Sequence, residues 1–340
     1  MKPLPIPSQL PRALAALERA ARPDGASPFP PEVPSEVWRR ALIGPAAEFL
    51  ARPGKELRTT IVETGWILGG GAPGAMPDRL PLVIELLHAG SLIIDDVEDG
   101  SEMRRGAPAL HHLVGAPIAI NTGSWMYFWA LAELEQLELT PTVELAAHRA
   151  TTRTLVRCHQ GQALDLATPV TELQADQVAP VVETTTRLKT GALCALAAQL
   201  GAIVAGGTPA ITNAVGRFGE HMGIALQMLD DLGSLTSPSR RHKGHEDLRA
   251  ARPTWPWAWL AQRDAFAWSR CITTARAVVA GSGDVDELAD LLASEVADEG
   301  RACIRATLDA TITELSAIAG ENATTQRFAA ELRRMETRYG

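Results

Sequence analysis

The chain has 340 residues, 46% of them hydrophobic, and 40 acidic against 32 basic side chains give a formal net charge of −8. That apolar content, with a mean hydropathy near zero, belongs to a globular chain with a sizeable core. The acidic balance excludes a nucleic-acid binder held by its own cationic field. It does not exclude an anionic substrate, because a divalent cation at a carboxylate cluster reverses the local field. No repeat period is evident, which excludes a solenoid. The four cysteines, Cys158, Cys194, Cys271 and Cys303, are dispersed without metal-ligand spacing and imply a reduced, cytoplasmic protein. The first residues lack a basic-then-apolar signal pattern.

Residues 1–34 are rich in proline, with Leu10, Leu14 and Leu17 at helical spacing, and read as a mobile or loosely packed extension. An all-α domain is expected over 35–340. Ser35 is the expected cap of a helix to residue 50. After Pro53-Gly54, Lys55 and Arg58 stand at i and i+3, so two cations one turn apart either grip a diphosphate without metal or form a solvated basic turn. The glycines at 69–71 form a loop with no preceding strand and no following lysine, so it is not a phosphate cradle.

A helix over 80–96 follows, and its apolar run ends in Asp95-Asp96-Val97-Glu98-Asp99. Asp95 and Asp99 lie one turn apart on one face, about 6 Å along the axis. Carboxylates that close repel unless a cation lies between them. Hard oxygen ligands completed by substrate phosphates describe Mg²⁺. Arg104 and Arg105, close behind, have guanidinium forks suited to phosphate. A solvated charged helix end is the alternative, and it fits poorly because the acids continue an apolar run. His111 and His112 fall in the next loop, as surface or core-edge residues.

Helices are expected over 118–137 and 140–166, the second capped by Thr140 with Pro141 at its first position. Gln162 and Asp165 near its end are either an ordinary surface pair or, facing inward, groups that orient Lys189 or a metal-bound water. A helix over 174–206 carries Lys189-Thr190. The uncharged stretch 190–216 reads as a packed internal helix, not a membrane span. A helix over 212–232 ends in Asp230 and Asp231, with Ser234 four residues after Asp230 and with Lys243, Glu246 and Asp247 beyond. A polar loop over 236–245 is expected to close over them, carrying Lys243. Trp255, Trp257 and Trp259 are expected to pack. Four further amphipathic helices read over 266–280, 285–299, 301–318 and 324–339. No segment has a persuasive strand alternation, so the chain is all-α. Two acidic helix ends facing each other across a bundle can hold several Mg²⁺ ions and one diphosphate.

These motifs resemble those of the trans-isoprenyl diphosphate synthases, the polyprenyl synthetase family. Asp95-Asp96-Val97-Glu98-Asp99 is similar to its first aspartate-rich motif, Asp230-Asp231 to its second, and Arg104-Arg105-Gly106 to its arginine pair. Gly54-Lys55-Glu56-Leu57-Arg58 resembles the segment that holds isopentenyl diphosphate. His88, Gln162, Asp165, Lys189-Thr190-Gly191 and Gln227 fall on family motifs in the same order, over about residues 54–256. Ile120-Asn121-Thr122 through Tyr127-Phe128, and Lys243-Gly244 through Pro256, look most like the geranylgeranyl branch. The chain departs at Ser234, where an acid or Asn is usual, at Thr59, where Pro is usual, and in a slightly shortened 243–247 segment.

The resemblance implies a single large bundle around a deep central cavity, a homodimer, and no membrane span. It implies a Mg²⁺-dependent head-to-tail condensation of isopentenyl diphosphate with a dimethylallyl, geranyl or farnesyl diphosphate, mainly to geranylgeranyl diphosphate. Asp95, Asp96, Asp99, Asp230 and Asp231 would hold two or three Mg²⁺. Arg104, Lys189 and Lys243 would meet the leaving diphosphate, and Thr190 and Gln227 would position it. Lys55, Arg58, His88 and Arg105 would hold isopentenyl diphosphate, and the departing diphosphate would take the final proton. Asp95, Asp99, Asp230, Lys189 and Arg104 form the catalytic set. The growing tail is expected to pass the small Gly90 and Ser91 and to meet Tyr127 and Phe128 as its floor. Alternatives are a farnesyl or longer-chain synthase, a class I terpene cyclase, a prenyltransferase to a non-isoprenoid acceptor, and a non-catalytic partner subunit. Lys55 and Arg58 count against the cyclase, and the intact first aspartates count against the partner subunit.

Overall fold

The computed structural model describes residues 17, 29–30, 32–52, 57–320, 326, 328–330 and 332–334. Lys55, with Pro53, Gly54 and Glu56, lies outside the described residues, as do Leu10, Leu14 and most of the 1–34 and 324–339 segments. Leu17, read as part of a loosely packed extension, is 1% exposed and joins the hydrophobic core.

The chain is all-α. A short helix α1 (Ser35–Trp38) passes through a π-helical turn (Arg39–Ile43) into α2 (Gly44–Ala51), followed by α3 (Leu57–Leu68) and α4 (Leu80–Glu98). Ser35 is the first helical residue, not the cap; that position is Pro34, whose ring lacks a capping acceptor. After α4 a two-residue hairpin, β1 (Met103–Arg104) and β2 (Ala107–Pro108), precedes α5 (Leu110–Val114), α6 (Ala116–Glu135) and α7 (Pro141–Ala167). Arg105 and Gly106 both have positive φ, 53° and 78°. That pair is what a two-residue hairpin turn requires, and the hairpin is too short for any alternation to announce it.

The predicted helix over 174–206 is interrupted. Helix α8 (Ala175–Thr186) runs into a π-helical turn (Arg187–Gly191) that carries Lys189 and Thr190, and α9 (Ala192–Val204) continues from it. By length and composition Ala175–Val204 is apolar enough to cross a membrane, but 56% of its qualifying 18-residue window is buried inside the protein. Helix α10 (Pro209–Thr236) is capped by Thr208, whose side chain accepts from Ile211 N at 3.3 Å.

The segment expected as a loop over 236–245 is mostly helical. A 3₁₀ turn (Pro238–Arg240) leads into α11 (Arg241–Arg249), then α12 (Trp255–Arg263) and α13 (Ala265–Val279). The two helices expected over 285–299 and 301–318 are one, α14 (Val285–Ala319). Gly300, which reads as a break, lies against Trp259: a Cβ there would come within 2.6 Å of the indole ring.

Helix α9 is the axis of the bundle and packs on α3, α4, α7 and α10, while α10 packs on α14 and α4 on α6. Its Ala-rich sequence serves close approach. A Cβ on Gly201 would stand 2.2 Å from the Val62 carbonyl oxygen, and one on Gly65 would stand 2.0 Å from that of Ala198, so only hydrogen fits where α3 and α9 cross. Trp255, Trp257 and Trp259 are buried, as packing residues should be.

Candidate active site

Helix α4 is apolar over four turns and buries Leu80, Ile84, Leu87 and Ile93. Burying that stripe delivers its last turn to the end of the bundle with the carboxylates fixed. Lys189, projected by the π-helical turn, bridges Asp95 Oδ1 at 2.9 Å and Asp165 Oδ2 at 2.8 Å. Arg252 pairs with Asp99 and donates to the Asp165 carbonyl oxygen at 2.5 Å. Gln162 donates to Glu98 at 2.7 Å. Asp165 and Gln162 thus take the inward alternative.

Burial raises Asp95, but the charge and hydrogen bond of Lys189 outweigh it and hold the carboxyl below its usual range. Asp99 is pushed up to about 7, first by burial and then by the Asp95 charge one turn away. Lys189 loses solvation, yet Asp95 and Asp165 raise it and keep it firmly charged.

On the neighbouring side the hairpin presents Arg104 and Arg105. Arg104 is locked to Asp96. Arg52, 5% exposed, clamps the hairpin by donating to the carbonyl oxygens of Arg104 at 3.1 Å and Pro108 at 2.8 Å while paired with Glu48. Arg52 and Arg105 flank the Phe49 ring at 5.3 and 5.6 Å. Burial lowers Arg105, and Arg58, Arg104 and Arg52 lower it further against the opposing pull of Glu85. His88 is driven well below its usual value by burial and then by Arg58, Arg105 and Arg104, so its imidazole is neutral. Arg58 Nε is buried without a hydrogen-bond partner. These cations push on one another, which is the electrostatics of a place prepared for an anion.

On α10, Asp230 pairs with Lys243 of α11 and with Arg240 of the 3₁₀ turn. Asp231 is directed elsewhere. Its Oδ1 accepts from Gln227 Nε2 at 2.7 Å and its Oδ2 from Trp255 N at 3.0 Å, and burial raises it to about 7. Ser234 Oγ donates to the Asp231 carbonyl oxygen at 2.7 Å, turned back onto its own helix. Thr190 Oγ1 donates to Gln227 Oε1 at 2.8 Å, so the π-helical turn ties α4 to α10 through Lys189 on one side and Thr190 on the other.

Of the five predicted metal ligands, Asp95, Asp99 and Asp230 remain partly exposed beside fixed cations. Asp96, fully buried, and Asp231, 6% exposed, are bonded into the protein instead. Among the described residues no three His, Cys, Asp or Glu side chains converge as a preformed cage. The donor set still fits a hard divalent cation. It is all oxygen, and the crowding that raises Asp99 is relieved once a cation lies beside Asp95 and Asp99.

Two expectations for the tail are corrected. Gly90 faces the backbone of α6: a Cβ there would stand 2.6 Å from the Gly123 carbonyl oxygen and 3.2 Å from Met126 Cβ, so it is a helix contact and not an open passage. Phe128 is 68% exposed and floors nothing within this chain. Tyr127 lies close by Gly90, with its ring edge on His159; burial raises its phenol, as do Cys158, Asp95 and Glu98. Tyr127 is thus within electrostatic reach of Asp95 and Glu98. Ser91 Oγ donates to the His88 carbonyl oxygen at 2.8 Å.

Arg52, Arg240 and Arg252 were not found from the sequence. Each acts across a contact between elements, and no local spacing marks it. Two of them stood in a recognised setting, Arg240 in the 236–245 segment expected to close over Asp230 and Arg252 in the 243–256 segment, five residues after Asp247.

Fold and site together define an all-α protein of the isoprenoid-synthase type. The chain belongs to the polyprenyl synthetase family, whose family model matches residues 39–279. It is 34% identical over 228 residues to geranylgeranyl pyrophosphate synthase 2 of Zymoseptoria tritici, covering 64% of this chain and 63% of that one. It is 32% identical over 212 residues to a geranylgeranyl pyrophosphate synthase of Hypoxylon pulicicidum, covering 60% of this chain and 50% of the relative. The matches thus span about half to somewhat under two thirds of those relatives' lengths. In fold it is similar to a crystal structure of geranylgeranyl pyrophosphate synthase, with TM-score 0.78, 18% identity, and 98% and 99% of the two chains covered. It is also similar to a polyprenyl synthase of Caulobacter crescentus complexed with calcium and isoprenyl diphosphate, with TM-score 0.68, 21% identity, and 98% of each chain covered.

Proposed function

We propose that the protein condenses isopentenyl diphosphate head-to-tail with an allylic prenyl diphosphate, chiefly to geranylgeranyl diphosphate. The observation that carries this reading is the presence of two differently built basic patches. Lys189, Arg252, Arg240 and Lys243 are each paired with a carboxylate. Arg58, Arg105 and the neutral His88 crowd one another. The first patch suits a diphosphate that arrives with cations. The second suits one that arrives without, and a cyclase acting on a single diphosphate has no use for it.

Asp95, Asp99 and Asp230 would hold Mg²⁺, which when bound polarises the leaving diphosphate and neutralises part of its charge. Arg252, Lys189 and Lys243, paired here with Asp99, Asp95 and Asp230, would meet the phosphate oxygens. Gln227 fixes Thr190, so the hydroxyl and the Lys189 ammonium keep one geometry. Arg58 and Arg105 hold isopentenyl diphosphate, with Lys55 expected beside them, while Arg52 and Phe49 keep the hairpin in place. Holding both reactants in register supplies much of the rate. The departing diphosphate is the base for the final proton.

Geranylgeranyl-length product is supported by the relatives' names and by the similar 120–128 and 243–256 segments. Each added isoprene unit would gain roughly 4 kcal/mol of burial at ~0.8 per methylene, so termination needs steric overlap. Ser91 and Tyr127 are the residues proposed to supply it. A homodimer is proposed through α6 and α7, and a cytoplasmic setting is in keeping with four unpaired cysteines.

The test is incubation with Mg²⁺, isopentenyl diphosphate and each allylic primer, with product length read by mass spectrometry. A C20 diphosphate is expected. Hydrocarbon made from one prenyl diphosphate without consumption of isopentenyl diphosphate would establish the cyclase instead.

A further inference from the structure

We infer that Arg240 binds the leaving diphosphate directly, as a cation on the α10 side of the site. The inference rests on the reading of this site as a diphosphate site. The argument starts from the charges that α10 presents. Asp231 has both oxygens occupied by Gln227 and Trp255, and Ser234 is bonded to its own helix. Asp230 is therefore the one carboxylate of its motif left facing the site, and two cations, Arg240 and Lys243, close on it. Asp247 and Asp231 also act on Lys243, so Asp230 is the carboxylate that Lys243 shares with Arg240. Were Asp230 to give its oxygens to a metal ion, Arg240 and Lys243 would lose that partner and be available to another anion. At this site that is the diphosphate.

Arg240 is built to stay there. Its guanidinium also donates to the Asp230 carbonyl oxygen at 3.2 Å. The next residue, Arg241, ties the turn to α14 through Asp286 at 2.9 Å and Asp290 at 2.8 Å. The anchor restrains the backbone of the turn that carries Arg240. Where Ser234 supplies no carboxylate for a metal, Arg240 supplies a fixed charge in its place, and a guanidinium meets a phosphate through two parallel hydrogen bonds.

The experiment is calorimetric titration of the full-length protein with inorganic diphosphate and, separately, with Mg²⁺ alone, for wild type, Arg240→Gln and Arg240→Lys. Arg240→Gln is expected to weaken diphosphate binding by roughly 10- to 100-fold, the scale of one charged hydrogen-bonded contact. Mg²⁺ should bind it at least as tightly as wild type, because Asp230 has lost a competitor. Arg240→Lys should recover part of the diphosphate affinity. Unchanged diphosphate affinity in Arg240→Gln would make Arg240 a counter-ion of Asp230 and overturn the inference. Equal weakening of both ligands, unrelieved by Arg240→Lys, would make it a structural strut and overturn it as well. Wild type that binds no diphosphate would remove the reading of the site, and the inference with it.

Discussion

His88 and Asp99 shift oppositely because burial disfavours the charged form of each, lowering the imidazole and raising the carboxyl, and neighbouring cations and the Asp95 carboxylate add to it. Burial, then Arg58, Arg105 and Arg104, depress His88 in the folded protein. Below about pH 6.5 the unfolded chain takes up a proton there that the folded chain refuses, so this contribution to stability is present at neutral pH and is lost as pH falls. One such group gives a slope of at most about 1.4 kcal/mol per pH unit. Urea denaturation from pH 7 to 5 should therefore show a shallower fall for His88→Asn than for wild type, and parallel curves would show that the ring is protonated in the folded state. Asp99→Asn removes a carboxylate that its neighbour already disfavours. Turnover should fall by roughly 10²–10³-fold, as when one contact to developing charge is lost, with the melting temperature unchanged or raised. EDTA should abolish turnover and added Mg²⁺ restore it. Full activity of Asp99→Asn would take Asp99 out of the metal set.

The contact of α4 with α6 depends on two glycines facing each other, Gly90 and Gly123, each of whose Cβ positions is occupied by the other helix. Gly90→Ala must move backbone, and should cost about 1–3 kcal/mol of stability by chemical denaturation, as over-packing does. Its product length should stay near C20, because the residue is not in the tail's path. Tyr127→Ala, at a residue within electrostatic reach of Asp95 and Glu98, should lengthen the product, and Phe128→Ala should not. Equal effects of the two on chain length would mean that Phe128 reaches the tail from a neighbouring subunit. The π-helical turn is the other element with a functional consequence. It carries Lys189, which reaches Asp95 and Asp165, and Thr190, which reaches Gln227 of α10.

Helix α6 carries no charged residue from Ala116 until Glu133, and a helix apolar on all sides is normally buried all round. One side packs on α4. Another exposes Ile120 and Phe128, at 45% and 68%, and the adjoining helix α7 exposes Leu145 and Val156, at 50% and 55%. A second copy presenting the same surface would cover it by two-fold symmetry. Phe128→Glu should therefore shift the species seen by sedimentation from dimer to monomer. A wild type that sediments as a monomer at micromolar concentration would leave this face to another partner.

The all-α class, the two acidic pairs and the arginine pair were legible in the chain because each is local, although Asp230 and Asp231 lie inside α10, which runs on to Thr236. A 3.6-residue apolar period, carboxylates four apart and a run of two arginines need no knowledge of the fold. The residues that complete the site were not. Arg252 meets Asp99 across 153 positions, and Arg52 meets the hairpin across 52 and 56. Neither pairing leaves a trace in spacing. The same limit explains the misreadings. Gly300 and Gly90 read as a break and an open passage, yet both are small because a neighbouring element comes within contact distance, and a sequence does not say what stands opposite a glycine. Asp231 and Asp230 are adjacent and chemically identical. Helical rotation turns one toward Trp255 N and Gln227 and the other toward Arg240 and Lys243, and only the packing around α10 distinguishes the two.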